Sequence, residues 1–299
     1  MPNFDTSQDV TMRFQILLIC GFLLCFGESC KQPEPELSPS KKLQEQVELL
    51  EARNGANPTI ENRMELVDIY EVQAHDTSLS QTKRLDRVRY ISEALYVSNK
   101  ANQAYERLRL GLSNLPEANS SLDASLFLAE IAIQKRQEPK TAELIFATLR
   151  DRFKGSKNLN KIPAEYPEVT LSDAQQQLQQ AVYSSGGFDR DAANRYGKAS
   201  WAYTAIELSP ELIIKDHLAA GRVLEQAKNY PNAIKHYDEI IRRFPKNQRA
   251  GDAMMLKAVL LLEVYSKKED ARQTLETMIS NFPNHELVND AKALLTSAN

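Results

Sequence analysis

"AAGRVLEQAKNYPNAIKHYDEIIRRFPKN" (residues 219–247) carries apolar and small residues at helical spacing on both sides of a break at "KNYPN". Two helices of about three to four turns joined by four or five residues form a hairpin. Gly221 and Ala233 lie 12 apart, Tyr237 follows four later, and Pro245 comes 12 after the alanine. Small residues on facing helices let two backbones approach, an aromatic ring fills the space beside them, and proline ends the second helix. Ala233 is expected opposite Gly221.

This spacing resembles the tetratricopeptide repeat, a helical hairpin that stacks into solenoids. Two positions depart from that pattern: His217 stands where a large apolar residue is usual, and Ile240 where alanine is usual. The next stretch, "GDAMMLKAVLLLEVYSKKEDARQTLETMISNFPN" (251–284), repeats the arrangement with Ala258, Ala271 and Pro283, and with Leu275 for the aromatic. Its longer helices are similar to those of periplasmic tetratricopeptide proteins of the Tol–Pal and outer-membrane assembly type.

The same ruler fits an earlier segment. Ala104, Pro116, Ala129 and Ala142 are spaced 12, 13 and 13, as are Ala233, Pro245, Ala258 and Ala271, at an offset of 129. Asp123 with Asp252, Leu95 with Leu224 and Phe153 with Phe282 keep that offset. "NRMELVDIY" (62–70) and "NRYGKASWAY" (194–203) read as a lone helix leading each copy. The expectation is an all-α, helical-hairpin solenoid in two copies. A degenerate first copy spans 43–156, with Ser92 where the second has Gly221 and with Gly111 interrupting a helix. A linker follows at 157–172, and the second copy at 173–299 ends in a closing helix, "NHELVNDAKALLTSAN" (284–299). Pro163 and Pro167 mark the linker, and Ser172 is the expected cap of the helix after it. Leu43, Val47 and Leu50 form one stripe of a packing or partner helix where the first copy begins.

All three cysteines fall at 20, 25 and 30. "FQILLICGFLLCF" (14–26) is too short to span a bilayer and has the length of a secretory h-region, with Arg13 before it. Residues 1–11 hold Asp5 and Asp9 and no basic residue, so Met12 is the natural start and 1–11 an over-extended frame. "GES" before Cys30 and the polar, Pro-rich "KQPEPELSPSKK" after it resemble a bacterial lipoprotein signal. That resemblance implies cleavage after Ser29, a lipid on Cys30 and a tether at 30–42. Gly27 and Glu28 depart from the usual Leu-small pair, and an ordinary secretory signal is the competing reading. Lys31 in place of Asp implies the outer membrane, facing the periplasm. Glu34 and Glu36 leave a surface-export signal open.

The chain has 37 basic and 40 acidic residues. No basic face for nucleic acid is expected. Metal ligation and cofactor binding are not expected either. His75, His217, His236 and His285 make no ligand-spaced pair, and His217 reads as a packing or surface imidazole. "SGG" (185–187) follows no strand and reads as a turn. Asp189, Asp191 and Glu207 read as helix-start and solvent-face carboxylates, and Trp201 and Tyr203 as core residues. No nucleophile motif is present, so the expectation is a non-enzymatic, membrane-tethered scaffold for a protein or peptide. If the first helices of the hairpins line the groove, as the resemblance implies, the second copy offers Lys215, Leu218, Arg222, Asp252, Met255 and Val259. The alternative is an accessory protein binding peptidoglycan or glycan, which calls for an exposed aromatic strip or paired carboxylates in a cleft.

Overall fold

The computed structural model describes residues 39–184 and 186–298. Cys20, Cys25, Cys30, the signal and most of the tether lie outside the described residues. Residues 47–299 make one compact unit. The described residues form thirteen α-helices: α1 (Pro39–Ala56), α2 (Ile60–His75), α3 (Gln81–Val97), α4 (Ala101–Asn114), α5 (Ser121–Gln134), α6 (Pro139–Arg152), α7 (Leu171–Val182), α8 (Arg190–Ile206), α9 (Pro210–Gln226), α10 (Tyr230–Arg243), α11 (Gln248–Glu263), α12 (Lys268–Asn281) and α13 (Val288–Ala298). Two-residue strands β1 (Tyr183–Ser184) and β2 (Gly187–Phe188) pair antiparallel, so the glycine stretch expected to follow no strand does follow a short one. No described helix is long and apolar enough to cross a membrane.

The hairpin α9–α10 shows how sequence becomes structure. Ser209 caps α9, its Oγ accepting from the Leu212 N–H, and Pro210 occupies the first turn, where its missing N–H costs nothing. Arg242 and Arg243 in the last turn of α10 complement its negative end. A Cβ on Gly221 would fall 2.6 Å from Cζ of Tyr237. The glycine is therefore required by the ring of Tyr237, one turn beyond Ala233. Tyr237 also donates a 2.5 Å hydrogen bond to Glu225, so its hydroxyl stays paired.

The offset of 129 is written into the backbone. Helices α3, α4 and α6 begin and end 129 residues before α9, α10 and α12. Among the described residues the non-glycine positions with positive φ are Asn99 and Lys228, at 59° and 60°, and Gln137 and Ser266, at 56° and 53°. Each sits just past the first helix of a hairpin, the position at which a left-handed residue reverses the chain. The closing bonds repeat too: Lys100 N–H to Leu95 O matches Asn229 N–H to Leu224 O, and Glu138 N–H to Ala132 O matches Lys267 N–H to Leu261 O. The small residues Ala104, Ala129, Ala142, Ala233, Ala258 and Ala271 are all fully buried.

The helices leading each copy are not alone. Helix α8 packs against α7, and α2 against α3. Helix α8 also joins the copies. Its Ala202, Ala205 and Ile206 belong to the first copy's core, while its Tyr196, Ala199 and Tyr203 pack with Ala174, Leu178 and Ala220. Two arginines receive the unpaired carbonyls at its C-terminal end: Arg152 donates to Ile206 O at 2.5 Å and Arg243 to Thr204 O at 3.0 Å.

The stretch expected as a linker is fastened down. Residues Lys157–Lys161 form a short 3-10 helix. Arg150 then donates to the carbonyls of Tyr166 and Pro167, and the Tyr166 ring meets Phe146 edge-on. Thr170, not Ser172, caps α7: its Oγ1 accepts from Asp173 N–H at 3.1 Å, because Leu171 and Ser172 already belong to the helix. At the end of the chain, α13 closes the second core through fully buried Ala291 and half-buried Leu294 and Leu295, as a solenoid end requires.

Candidate functional site

A cavity of about 700 Å3 opens where the copies meet, walled by α4, α8 and α10. Helix α8 presents Asn194, Gly197, Lys198 and Trp201, at i, i+3, i+4 and i+7 and hence on one face. Helix α10 presents Asn232, Lys235, His236 and Glu239 at the same intervals, with Arg242 beyond. Helix α4 adds Glu106 and Arg109. The walls are cross-linked over 126 positions of sequence by Ser113, which donates to Glu239 at 3.4 Å.

Trp201 is the centre of this arrangement. The Arg109 guanidinium lies 4.5 Å over its ring, and the His236 ring lies 4.6 Å from it at 30°. His217 meets it edge-on at 5.0 Å. Gly197 permits this approach, since a Cβ there would fall 2.9 Å from Leu224. A cation over an indole face contributes about 0.5–2 kcal/mol, more as water is excluded, and Arg109 is only 8% exposed.

Both imidazoles beneath the tryptophan are fully buried. Their Nδ1 atoms lie 2.8 Å apart, so one must donate and the other accept. Neither Nε2 has a hydrogen-bond partner of normal geometry. Burial pushes the His236 pKa down to about 3, helped by Arg109. Burial also drives His217 well below the usual imidazole range, reinforced by His236, Arg243, Arg109 and Arg242. Behind them, Asp216 is buried and accepts from Ser200 and from Tyr196 at 3.2 Å. Burial raises its carboxyl to about 6 despite these bonds.

The rim is charged and mostly paired. Arg109 binds Glu106 at 2.9 Å, Arg242 grips Glu239 with bonds of 2.7 and 3.0 Å, and Glu138 holds Arg136 at 3.2 Å and Lys198 at 3.0 Å. An amide chain crosses the rim. Lys235 donates to Asn232 at 3.4 Å, Asn232 to Asn229 at 3.1 Å, and Asn229 to Asn194 at 2.6 Å.

None of the six residues expected to line a groove borders this cavity. Lys215 and Arg222 are exposed on α9, and Met255 and Val259 are half-buried on α11. Leu218 is a core residue packed with Ile214, Ala233 and Tyr237, so it offers a partner almost no surface. Asp252 is engaged by His285 Nε2 at 3.3 Å. The cavity is built from second helices of the hairpins, whereas the expected groove used first helices. Of the expected core aromatics, Tyr203 is buried and Trp201 lies half-exposed in the cavity floor. Asp189 caps α8, accepting from the N–H groups of Asp191 and Ala192, and His75 bonds to its own helix at the surface. Among the described residues no cluster of three metal-ligand side chains occurs.

Residues 218–247 match the family model of the tetratricopeptide repeat. Over those residues the chain is similar to a tetratricopeptide repeat. The matched segment runs from the middle of α9 through α10, so it supplies the α10 wall of the cavity and, of the two buried histidines, His236. No curated protein matches the sequence. Among solved structures, it is similar to the TPR2AB-domain:pHSP90-complex of yeast Sti1, at 14% identity and a TM-score of 0.30, covering 85% of this chain and 99% of that one. That likeness is too slight to bear on helix packing or on ligand.

Proposed function

We propose that the chain is a non-enzymatic scaffold that holds a protein or peptide partner in the cavity between α4, α8 and α10. The observation that carries this reading is the cavity itself, with half-exposed Trp201 in its floor and paired charges around its rim. Tryptophan and arginine in a water-poor recess, ringed by polar groups, are the composition of binding hot spots. A volume near 700 Å3 suits a few side chains of a partner. The titratable groups at the floor favour binding over chemistry. Both histidines are held neutral by burial and shielded by Trp201.

The tether belongs to the same proposal. A lipid on Cys30 would hold the scaffold at an envelope membrane, with the outer membrane and its periplasmic face favoured by Lys31. Fractionation of cells carrying Cys30→Ser tests this: the variant should move to the soluble envelope fraction and lose labelled palmitate. Unchanged membrane partitioning would remove the anchor from the account. Crosslinking the membrane-held protein before its isolation tests the scaffold. A stoichiometric partner is expected, and that partner should be lost when Trp201→Ala empties the cavity floor.

A further inference from the structure

We infer that the cavity receives an acidic peptide segment, whose carboxylates meet Arg109, Lys198 and Lys235 around Trp201. This rests on the scaffold reading and names the chemistry of the partner. The walls carry five basic residues against three acidic ones. Adding the outlying partners Glu138 and Lys257 makes it six against four, so the surplus of two remains. The surplus has a definite place. Arg109, Arg242 and Lys257 each have a carboxylate, Glu106, Glu239 and Asp238, whereas Arg136 and Lys198 share the one carboxylate of Glu138. Among the described residues Lys235 has no carboxylate partner and touches only the amide of Asn232.

An amide chain adds a donor where the charge lies. The amide chain from Lys235 to Asn194 spends its acceptors internally, because each carbonyl oxygen receives the neighbour's N–H or ammonium. Its last amide nitrogen, on Asn194, remains to donate. An assembly of ammonium, guanidinium and N–H donors is complementary to carboxylate oxygens. A basic segment would meet like charges, and an apolar one would strip water from charges it cannot pair. The basic groups come from three helices and from successive turns of α10, so several carboxylates along one chain match them better than one small anion.

Trp201 is the only tryptophan in the chain, so its fluorescence reports this cavity alone. Titrate the full chain with hexaglutamate, hexalysine and inorganic phosphate at low and at physiological salt. Hexaglutamate is expected to change the emission saturably and more weakly at high salt, while hexalysine and phosphate leave it unchanged. Lys235→Glu should weaken hexaglutamate binding about tenfold or more with an unaltered circular dichroism melt, because Lys235 is exposed. No saturable response, an equal response to phosphate or to hexalysine, or unchanged affinity in Lys235→Glu overturns the inference. Recovery of the crosslinked partner with Lys235→Glu at parental yield would overturn it while leaving the scaffold standing. Hexaglutamate binding without any crosslinked partner would count against the scaffold instead.

Discussion

His217 and His236, nineteen residues apart in sequence, place their Nδ1 atoms 2.8 Å from each other in a fully buried floor under Trp201. Such a pair is stable only while both rings are neutral, since a second proton would set two cations in contact without water.

Stability should therefore depend on pH with a definite sign. The ordinary imidazole value is 6.5, and the folded values lie well below it, near 3 for His236. The unfolded chain takes up protons that the folded chain does not. The contribution of the pair is complete above pH 6.5 and is lost as pH falls through that window. Asp216 works the other way, because its folded value is raised from 3.8 to about 6. Near pH 5 two histidines oppose one aspartate, so stability should fall by roughly 1.4 kcal/mol per pH unit on acidification. Urea unfolding at pH 7, 6 and 5 measures this, and a flat or rising stability toward pH 5 would refute the buried neutral pair.

Gly221→Ala should cost about 1–3 kcal/mol, because the new methyl would enter the ring of Tyr237, itself fully buried and bonded to Glu225. Ala233→Leu should cost as much, and Ala104→Leu likewise, since both alanines are fully buried at equivalent places in the two copies. Lys235→Leu should change stability by less than about 0.5 kcal/mol. Thermal melts of the four variants check the register. Damage at Ala233 with none at Ala104 would deny the equivalence of the copies.

Lys228→Gly, Ser266→Gly, Asn99→Gly and Gln137→Gly should each be neutral or stabilising. The left-handed backbone there costs a side chain about 1–2 kcal/mol, partly offset by the extra freedom glycine gives the unfolded chain. Lys228→Val should be destabilising. Losses at all four glycine variants would contradict the reversals at 99, 137, 228 and 266.

Arg152→Ala should cost about 1.5–3 kcal/mol, as it frees the buried carbonyls of Ile206 and Pro116 that the guanidinium satisfies. Because α8 belongs to the cores of both copies, the two should still unfold together. A melt of the parent that resolves into two transitions would break this point.

The fold was legible because its determinants are local and periodic. Ala233, Ala258 and Ala271 mark helix contacts by spacing alone, and the 129-residue offset brought out a first copy in which Ser92 and Gly111 had blurred the pattern. The site was not legible because its parts are distant in sequence. Arg109 reaches Trp201 from the other copy, and Ser113 reaches Glu239 across 126 positions. Periodicity shows that α9 has a buried face; the resemblance, not periodicity, put the expected groove on first helices, and one of its six positions, Leu218, lies on that buried face. His236 carried a faint signal: a polar ring one turn after Ala233 and next to Tyr237 must be buried, and a buried imidazole needs a partner. The leading helices looked alone because α7 and α8 are separated by a β-turn insertion that no helical pattern announces.

The central claim is that partners sit against the second helices, between the copies. A photoreactive amino acid placed in the membrane-held protein at Asn232, in the cavity, or at Lys215, on the first-helix face, tests it directly. The account predicts a discrete adduct from position 232 and none from position 215. An adduct from 215 with none from 232 would contradict it and return the binding face to the first helices.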